Sequence, residues 1–308
     1  MALDFYRKSL GINSQEELVK SFTESLVITN RTPDFFVDWP KVKMNVDEIR
    51  LELDLWDSLI KSKNIRADFK ILIESHPQVL RTMPILLAIR DLKFPVIYDF
   101  PDRSTIKDYD FKKQKEDKLK VDEINKYLEL AEKGGLFDVF SFVSSFYDYI
   151  LGVEVGMDTN ARKNRSGQIM ENAIYPIVKN ICSSKCIDFH FQEKFKIVGE
   201  KYNVKAPKDT PNRKPDFILQ KGGKFVNIEV NFFNGSGSKP EEIIESYSNR
   251  RNKLLAAGWG FIFITDGNVW NKSLNQLKNG FDNIDYLLNL DFVKKGLLEA
   301  ALKEEFSK

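Results

Sequence analysis

Cysteine and histidine are both scarce in this chain, and each scarcity removes a class of chemistry. The 308 residues include only two cysteines, Cys182 and Cys186, and two histidines, His76 and His190, which stand far apart. Two cysteines cannot build a disulfide framework, and their neighbours supply no zinc-binding set. We therefore expect ordinary thiols in a reducing cytoplasm. The isolated histidines argue against catalysis by a histidine cluster.

Long apolar runs and targeting features are also missing. No stretch of about 18 consecutive apolar residues occurs, so we expect no membrane span and no membrane partner. The first eight residues, MALDFYRK, mix acidic and basic side chains and lack an apolar segment. They do not resemble a secretory signal, which agrees with a cytoplasmic location.

The chain has no excess of charge of one sign. It carries 47 Lys and Arg against 45 Asp and Glu, a net charge of +2. Nucleic-acid binding needs only a local basic surface, so this balance neither supports nor excludes it. Apolar residues make up 42% and charged residues 30%, which is typical of a globular protein with one large or two modest domains.

The sequence pattern changes near residue 150. Before that point apolar side chains recur at three- and four-residue steps, as from Val42 to Ile60, which predicts amphipathic helices. Residues 152–168 are then rich in Gly, Asn, Arg and Lys, and a helix is predicted from Ile169 to Cys182. We predict a mainly helical region over residues 1–150 and an α/β domain over residues 151–308.

Two short strands and a turn form the centre of the predicted α/β domain. The strands are predicted over Asp216–Gln220 and Lys224–Phe233, and Lys221-Gly222-Gly223 between them is a hairpin signal. A helix over Glu241–Ala257 and a buried strand over Phe261–Thr265 follow. The order helix, strand, strand, helix, strand predicts a compact α/β unit with a mixed sheet.

The hairpin also predicts a pair of carboxylates. Asp216 opens the first strand, and the turn would bring it near Glu229 in the second strand. Alternation along the strand places Glu229 and Asn231 on one face. Glu229 interrupts an otherwise apolar strand, and a buried acid needs a partner or a cation. Oxygen ligands of this kind suit Mg²⁺, which bridges to substrate phosphates. The alternative is a surface hairpin with one acid on its polar face.

The residues around these acids resemble a known family. Pro215-Asp216, followed by Glu229-Val230-Asn231, resembles the PD-(D/E)XK nuclease signature with Asn231 in the lysine position. Longer blocks are similar to the DpnII/MboI family of restriction endonucleases, and together they cover most of the chain. These blocks are residues 152–165, 229–239 and 263–270, with weaker similarity at 38–42 and 59–64.

This resemblance implies a type II restriction endonuclease of a prokaryotic restriction-modification system, with a cognate DNA methyltransferase as its functional partner. It implies a PD-(D/E)XK-like core in which helices flank a central mixed sheet. It also implies Mg²⁺-dependent hydrolysis of double-stranded DNA at unmethylated GATC, on the 5′ side of the G, leaving 5′-phosphate ends. A palindromic site presents two equivalent strands, so a homodimer is expected. The helical region would form the dimer contact, the base-reading surface, or both.

The family pattern also implies roles for individual acids. Asp216 and Glu229 would bind the metal, and Glu171 stands where many PD-(D/E)XK enzymes carry an additional acid. The departure is Asn231, because an amide can orient water but carries no charge. Lys239, in a Gly/Ser-rich loop, would supply the missing cation. The alternative is that the metal alone activates water and Lys239 contacts a phosphate.

Two segments are predicted to face DNA, because basic and amide side chains contact phosphates and base edges, and small residues allow backbone amides to approach a phosphate. The basic end of the helix after Lys239, which includes Arg250 and Arg251, we interpret as solvated surface charge. The predicted DNA-binding residues are Arg162, Lys163, Asn164 and Arg165, and then Ser236, Ser238 and Lys239.

Two other functions remain open at this point. One is a DNA-binding protein in which a nuclease fold has lost its catalysis; intact Asp216 and Glu229 count against it, and Asn231 counts slightly for it. The other is a PD-(D/E)XK nuclease with a role in DNA repair. Such an enzyme would cut according to DNA structure and not according to sequence.

Overall fold

The computed structural model describes residues 2–112, 119–207, 210–234 and 239–308, and for residues 2, 34 and 159–166 it describes the backbone alone. The α-helices are α1 (Ala2–Leu10), α2 (Gln15–Glu24), α3 (Trp39–Asp47), α4 (Arg50–Asp57), α5 (Ile65–Ser75), α6 (Met83–Leu86), α7 (Val121–Lys133), α8 (Leu136–Phe142), α9 (Phe146–Lys185), α10 (Phe195–Tyr202), α11 (Pro240–Ala256), α12 (Leu274–Asn283), α13 (Leu290–Lys294) and α14 (Leu297–Ser307). The strands are β1 (Lys93–Ile97), β2 (Ile106–Asp110), β3 (Asp188–Phe191), β4 (Phe217–Lys221), β5 (Lys224–Phe232), β6 (Trp259–Asp266) and β7 (Leu287–Leu288).

The chain forms two compact units. Unit 1 consists of Met1–Phe35 and Lys163–Lys308, and unit 2 is Phe36–Arg162. The sequence predicted a division near residue 150, with the first residues in the helical region. The structure differs there, because Tyr6 and Phe22 are buried in the core of unit 1. Such packing between distant segments leaves no local signal in the sequence.

A five-stranded mixed sheet organises unit 1. Its strand order is β3-β4-β5-β6-β7. The neighbours β3, β4 and β5 pair antiparallel, whereas β6 pairs parallel with both β5 and β7. The predicted hairpin, the following helix α11 and the buried strand β6 are therefore confirmed. The predicted α/β class with a mixed sheet is confirmed as well.

The turn between β4 and β5 follows from two adjacent glycines. Gly222 and Gly223 have φ values of +58° and +79°, in the left-handed region that glycine adopts without a steric cost. Two such residues in a two-residue loop match the twist of an antiparallel hairpin. The turn sets the register that pairs Phe217 with Ile228. That register positions the candidate site described below.

Unit 2 is mainly helical and also contains a β-hairpin of β1 and β2. Its core contains Trp56, whose indole N–H donates to the Thr82 hydroxyl at 2.8 Å. The periodic segment from Val42 to Ile60 forms two helices, α3 and α4, and not one.

Helix α9 is longer than the sequence predicted. It runs for 40 residues from Phe146 to Lys185, through the glycine-rich segment 152–168. A glycine lowers helix stability by about 1 kcal/mol but keeps its backbone N–H, so it weakens a helix without ending it. Among the described residues, no single helix is long and apolar enough to cross a membrane; Leu136–Phe142 and Phe146–Asp158 meet the criterion only as a pair bent by 120°.

Candidate active site

Asp216 and Glu229 lie side by side at one end of the β4–β5 hairpin. The register pairs Phe217 with Ile228, so Asp216 and Glu229 are the next cross-strand pair. Directly opposed residues of an antiparallel pair project on the same face. The Val230 N–H donates to Asp216 Oδ2 at 2.7 Å, which fixes the first carboxylate against the second strand.

These two acids line a cavity of about 460 Å³ in unit 1. Glu171 reaches the same cavity from helix α9, and the Gln192 side-chain amide donates to Glu171 Oε2 at 2.7 Å. The structure therefore brings together the three acids that the sequence singled out. The lining residues are Gly167, Gln168, Glu171, Gln192, Arg213, Lys214, Asp216, Glu229, Val230, Asn231 and Tyr247.

Glu229 is 3% exposed and is held by three side chains. Arg250 and Arg213 donate to its Oε2 at 2.8 and 3.2 Å. Asn227, two residues earlier on the same face of β5, donates to Oε1 at 3.3 Å. A carboxylate buried this deeply is stable only with such partners, so the arginines compensate its charge.

The surroundings change the acidity of both carboxyls. Burial raises the pKa of Asp216 to about 7, and the nearby Glu229 charge adds to the rise. Burial also raises the pKa of Glu229 above its ordinary value, although Arg250 and Arg213 oppose this effect. Neighbouring acids whose pKa values are raised in a cavity are a common feature of catalytic and metal-binding sites.

The oxygen donors of this cavity fit a hard divalent cation. A cation between Asp216 and Glu229 would remove the repulsion that raises the pKa of Asp216. Within the described residues, however, no three His, Cys, Asp or Glu side chains are already gathered around one point. Glu229 Oε2 faces two arginines, and Glu171 faces Gln192. A metal would therefore take one oxygen from each acid only after these side chains adjust.

Asn231, in the lysine position, has both ends of its amide engaged. Its Nδ2 donates to the Tyr247 hydroxyl at 2.8 Å, and its Oδ1 accepts from the Phe232 N–H at 3.1 Å. The Tyr247 ring stacks on Phe263 with centroids 3.8 Å apart, which fixes the hydroxyl. Asn231 thus closes one side of the cavity.

Lys239 does not join the acids. Its side chain is 72% exposed and forms an ion pair with Glu242 at 2.7 Å. It lines a neighbouring groove that shares Asn231 and Tyr247 with the cavity. The predicted active-site position for its ammonium group is therefore not adopted in this structure.

Apart from Lys239, the predicted DNA-binding residues cannot be placed by side chain. Arg162, Lys163, Asn164 and Arg165 lie within helix α9, but their side chains are outside the described part of the chain. Ser236 and Ser238 also lie outside the described residues.

Several basic residues with a part in unit 1 escaped the sequence analysis. The interpretation of Arg250 and Arg251 as solvated charge was wrong: their side chains are 18% and 20% exposed, and they bind Glu229 and Asp285. Arg213 and Lys214 stand immediately before Pro215-Asp216, and that proximity was a signal that could have identified them.

Comparison with known proteins gives consistent relatives over nearly the whole chain. A Methanocaldococcus jannaschii protein named type II restriction enzyme MjaIII is 36% identical, and the match covers 91% of this chain and 97% of that protein. Type II restriction enzyme DpnII of Streptococcus pneumoniae is 34% identical over 86% of this chain and 91% of its own length. Type II restriction enzyme MboI of Moraxella bovis is 28% identical over 90% and 94%.

No solved structure matches the chain. The family model described as DpnII restriction endonuclease matches residues 18–300, a range that includes the hairpin, helix α9 and all of unit 2. The resemblance seen in the sequence is confirmed, and this chain belongs to the DpnII restriction endonuclease family.

Proposed function

We propose that this protein is a type II restriction endonuclease that hydrolyses phosphodiester bonds of double-stranded DNA with Mg²⁺. The observation that carries the proposal is the cross-strand pair of Asp216 and Glu229 in one cavity with Glu171. Its relatives, which align with nearly the whole chain, are named type II restriction enzymes. The order of α9, the β4–β5 hairpin, α11 and β6 supports a PD-(D/E)XK-like core.

Each carboxylate has a distinct part in this proposal. Asp216 and Glu229 would hold the Mg²⁺, with Glu171 as the additional acid on the facing helix. When bound, the cation makes water a stronger nucleophile and screens charge on the phosphate. Arg213 and Arg250 keep Glu229 oriented and ionised. The Tyr247 hydroxyl holds the Asn231 side chain in place at one side of the cavity.

The hydrolysis breaks one bond in each strand. A water oxygen bonds to phosphorus and releases one proton to solvent, the bond from phosphorus to O3′ breaks, and the leaving O3′ takes a proton from solvent. The products are a 5′-phosphate and a 3′-hydroxyl. We further propose unmethylated GATC as the site, cleavage on the 5′ side of the G, and a homodimer with one active site for each strand of the palindrome. A cognate methyltransferase would protect the host site. The family resemblance supports these details.

A cleavage assay with three duplexes tests the proposal. The full chain is incubated with a GATC duplex, the same duplex carrying N6-methyladenine, and a duplex with a scrambled site, each with Mg²⁺ or EDTA. We expect cutting of the unmethylated GATC duplex alone, and only with Mg²⁺. Binding without cutting would show a non-catalytic DNA-binding protein. Cutting of a flap or mismatch regardless of sequence would show a repair nuclease.

A pair of acid variants tests the assignment of Asp216. Asp216→Asn should lose cleavage by roughly 100-fold or more and keep its affinity for the duplex, because it removes a metal ligand and no fold contact depends on its charge. Asp188→Asn is the matched control, since Asp188 is an exposed acid of the same sheet whose side chain accepts from the Tyr202 hydroxyl. Full cleavage by Asp216→Asn would contradict the assignment.

A further inference from the structure

The candidate site lacks a cation where the family signature has lysine. Asn231 occupies that position, and both ends of its amide are already hydrogen-bonded. Lys239 is exposed, is paired with Glu242 and lines a different groove. Charge that develops on a phosphate during hydrolysis is stabilised by a positive group placed next to it.

Among the side chains that the structure describes, three basic ones lie close enough to the acids to be considered. Arg213 and Arg250 both donate to the same oxygen of Glu229, so their positive charge is already used to neutralise that carboxylate. Lys214 lines the cavity beside Asp216. Within the part of the chain that the structure describes, Lys214 forms no hydrogen bond or ion pair. Its ammonium group is therefore available for a ligand.

The backbone around Lys214 is anchored on both sides. The carbonyl of Arg213 accepts from the Phe195 N–H at 3.2 Å, and the carbonyl of Asp216 accepts from the Gln192 N–H at 3.0 Å. Pro215 restricts the residue before it to an extended conformation. Alternate residues of an extended segment share a side, so Lys214 and Asp216 face the cavity while Pro215 is buried.

We propose that Lys214 is a catalytic residue whose ammonium group contacts the phosphate under attack. This inference rests on the proposed function. In the hydrolysis described above, Lys214 stays protonated and stabilises the negative charge that grows on the phosphate oxygens as water attacks and O3′ leaves. The ammonium group is a compact charge at the end of a flexible side chain. Because the backbone of Lys214 is anchored, this side chain can keep the charge next to the phosphate oxygens throughout the reaction.

Three lysine variants of the full chain test this role. We expect Lys214→Met to lower the single-turnover rate on a GATC duplex by roughly 100-fold or more. Lys196→Met is the matched control and should cut at the wild-type rate, because Lys196 is an exposed lysine that pairs with Glu200 and lines another groove. Lys239→Met examines the other candidate cation. Thermal unfolding of each variant establishes that it is folded.

Duplex binding provides a second readout that does not depend on cleavage. Affinity is measured by fluorescence anisotropy with Ca²⁺ in place of Mg²⁺ at several salt concentrations. If Lys214 contacts a phosphate, the slope of log affinity against log salt should fall by about one in Lys214→Met.

The outcomes separate this inference from the proposed function. The role of Lys214 is supported if the wild-type chain cleaves the duplex and Lys214→Met is folded but cleaves slowly. The salt dependence of duplex binding should also be reduced in Lys214→Met. If the wild-type chain and Lys214→Met cleave at the same rate, the role of Lys214 is overturned. If only Lys239→Met cleaves slowly, the role belongs to Lys239. Absence of Mg²⁺-dependent cleavage by the wild-type chain overturns the proposed function itself, and the inference falls with it.

Discussion

Asp216 sits beside a second acid in a cavity that disfavours its ionised form. The pKa of Asp216 is raised to about 7, mainly by burial, from an unfolded value near 3.9. When the pKa of a carboxyl is higher in the folded state than in the unfolded state, its contribution to the free energy of unfolding is fully present below the unfolded-state pKa. That contribution is lost as the pH rises through the folded-state pKa. Without divalent metal, ionised Asp216 therefore destabilises the fold above pH 7.

The first prediction concerns this pH dependence. Between pH 5 and pH 8 in EDTA, wild-type protein should lose on the order of 2 kcal/mol more unfolding free energy than Asp216→Asn, which cannot ionise. Urea unfolding of both proteins at the two pH values measures the difference. Parallel pH profiles would show that Asp216 titrates normally.

The second prediction concerns metal binding at the same residue. At pH 8, Mg²⁺ should raise the unfolding temperature of the wild-type protein and leave that of Asp216→Asn nearly unchanged, because a ligand that binds only the folded state stabilises it. Differential scanning calorimetry with and without Mg²⁺ measures both. Equal stabilisation of the two proteins would place the metal elsewhere.

The third prediction concerns the arginine that the sequence did not identify as a partner of Glu229. Arg250→Met should cost about 2 kcal/mol, because it leaves a buried carboxylate with one partly exposed cation, Arg213. Glu229→Gln in the same background should recover part of the loss, since a neutral amide needs no cation. A double-mutant cycle in urea measures this coupling, and additive effects would contradict the ion pair.

The site was only partly predictable from sequence at this scale. Asp216, Glu229 and Asn231 follow from a local pattern of strand alternation and a two-residue turn. Arg250 lies 21 residues beyond Glu229 on a helix, and only the packing of α11 on β6 brings its guanidinium to the acid. Lys239 was predicted to reach the acids, but it pairs with Glu242 in the first turn of α11. This partner is only three residues away in the sequence.

At the scale of elements, the strands with strong local signals were found and the short ones were missed. β5 and β6 are long and apolar, with a glycine turn before one of them. β3 has four residues and β7 has two, too few for alternation to show. Both occupy sheet edges, and tertiary pairing alone makes them strands.

The fourth prediction concerns the end of β6. Gly267 has φ +105°, and a Cβ there would overlap the carbonyl of Phe233, which follows β5. Gly267→Ala should therefore cost more than about 2 kcal/mol, from backbone strain plus the collision. Gly258→Ala is the matched control: its φ is +78°, but no atom lies within 4 Å of the added Cβ. Equal costs by urea unfolding would show that the close approach to Phe233 is unimportant.

At the scale of the whole molecule, the first 35 residues complete the unit that carries the acids. The Tyr6 hydroxyl both donates to the Leu287 carbonyl and accepts from its N–H, each at 2.9 Å. Buried Asp266 accepts from the Val27 N–H at 2.7 Å. Asn289 donates to the Phe22 carbonyl at 3.0 Å. The Tyr6 hydroxyl thus bonds the backbone N–H and carbonyl of Leu287 on edge strand β7, where a further strand would otherwise pair.

The fifth prediction follows from this arrangement. A chain lacking residues 1–35 should lose the cooperative unfolding of unit 1, because Tyr6 and Phe22 leave a large gap in its core. A fragment of residues 36–162 should fold by itself around Trp56. Near-ultraviolet circular dichroism during thermal unfolding tests both. An unchanged transition in the shortened chain would contradict the prediction.

The bonds between Tyr6 and Leu287 join positions 281 residues apart. During synthesis, the amino-terminal segment therefore has no partner at Leu287 until almost all of the polypeptide has emerged from the ribosome. A translation product that ends before Leu287 would contain Asp216 and Glu229 but would lack strand β7 and its bonds to Tyr6. Because Asp216 and Glu229 belong to the same unit as these bonds, we expect the candidate site to form only when translation is nearly complete.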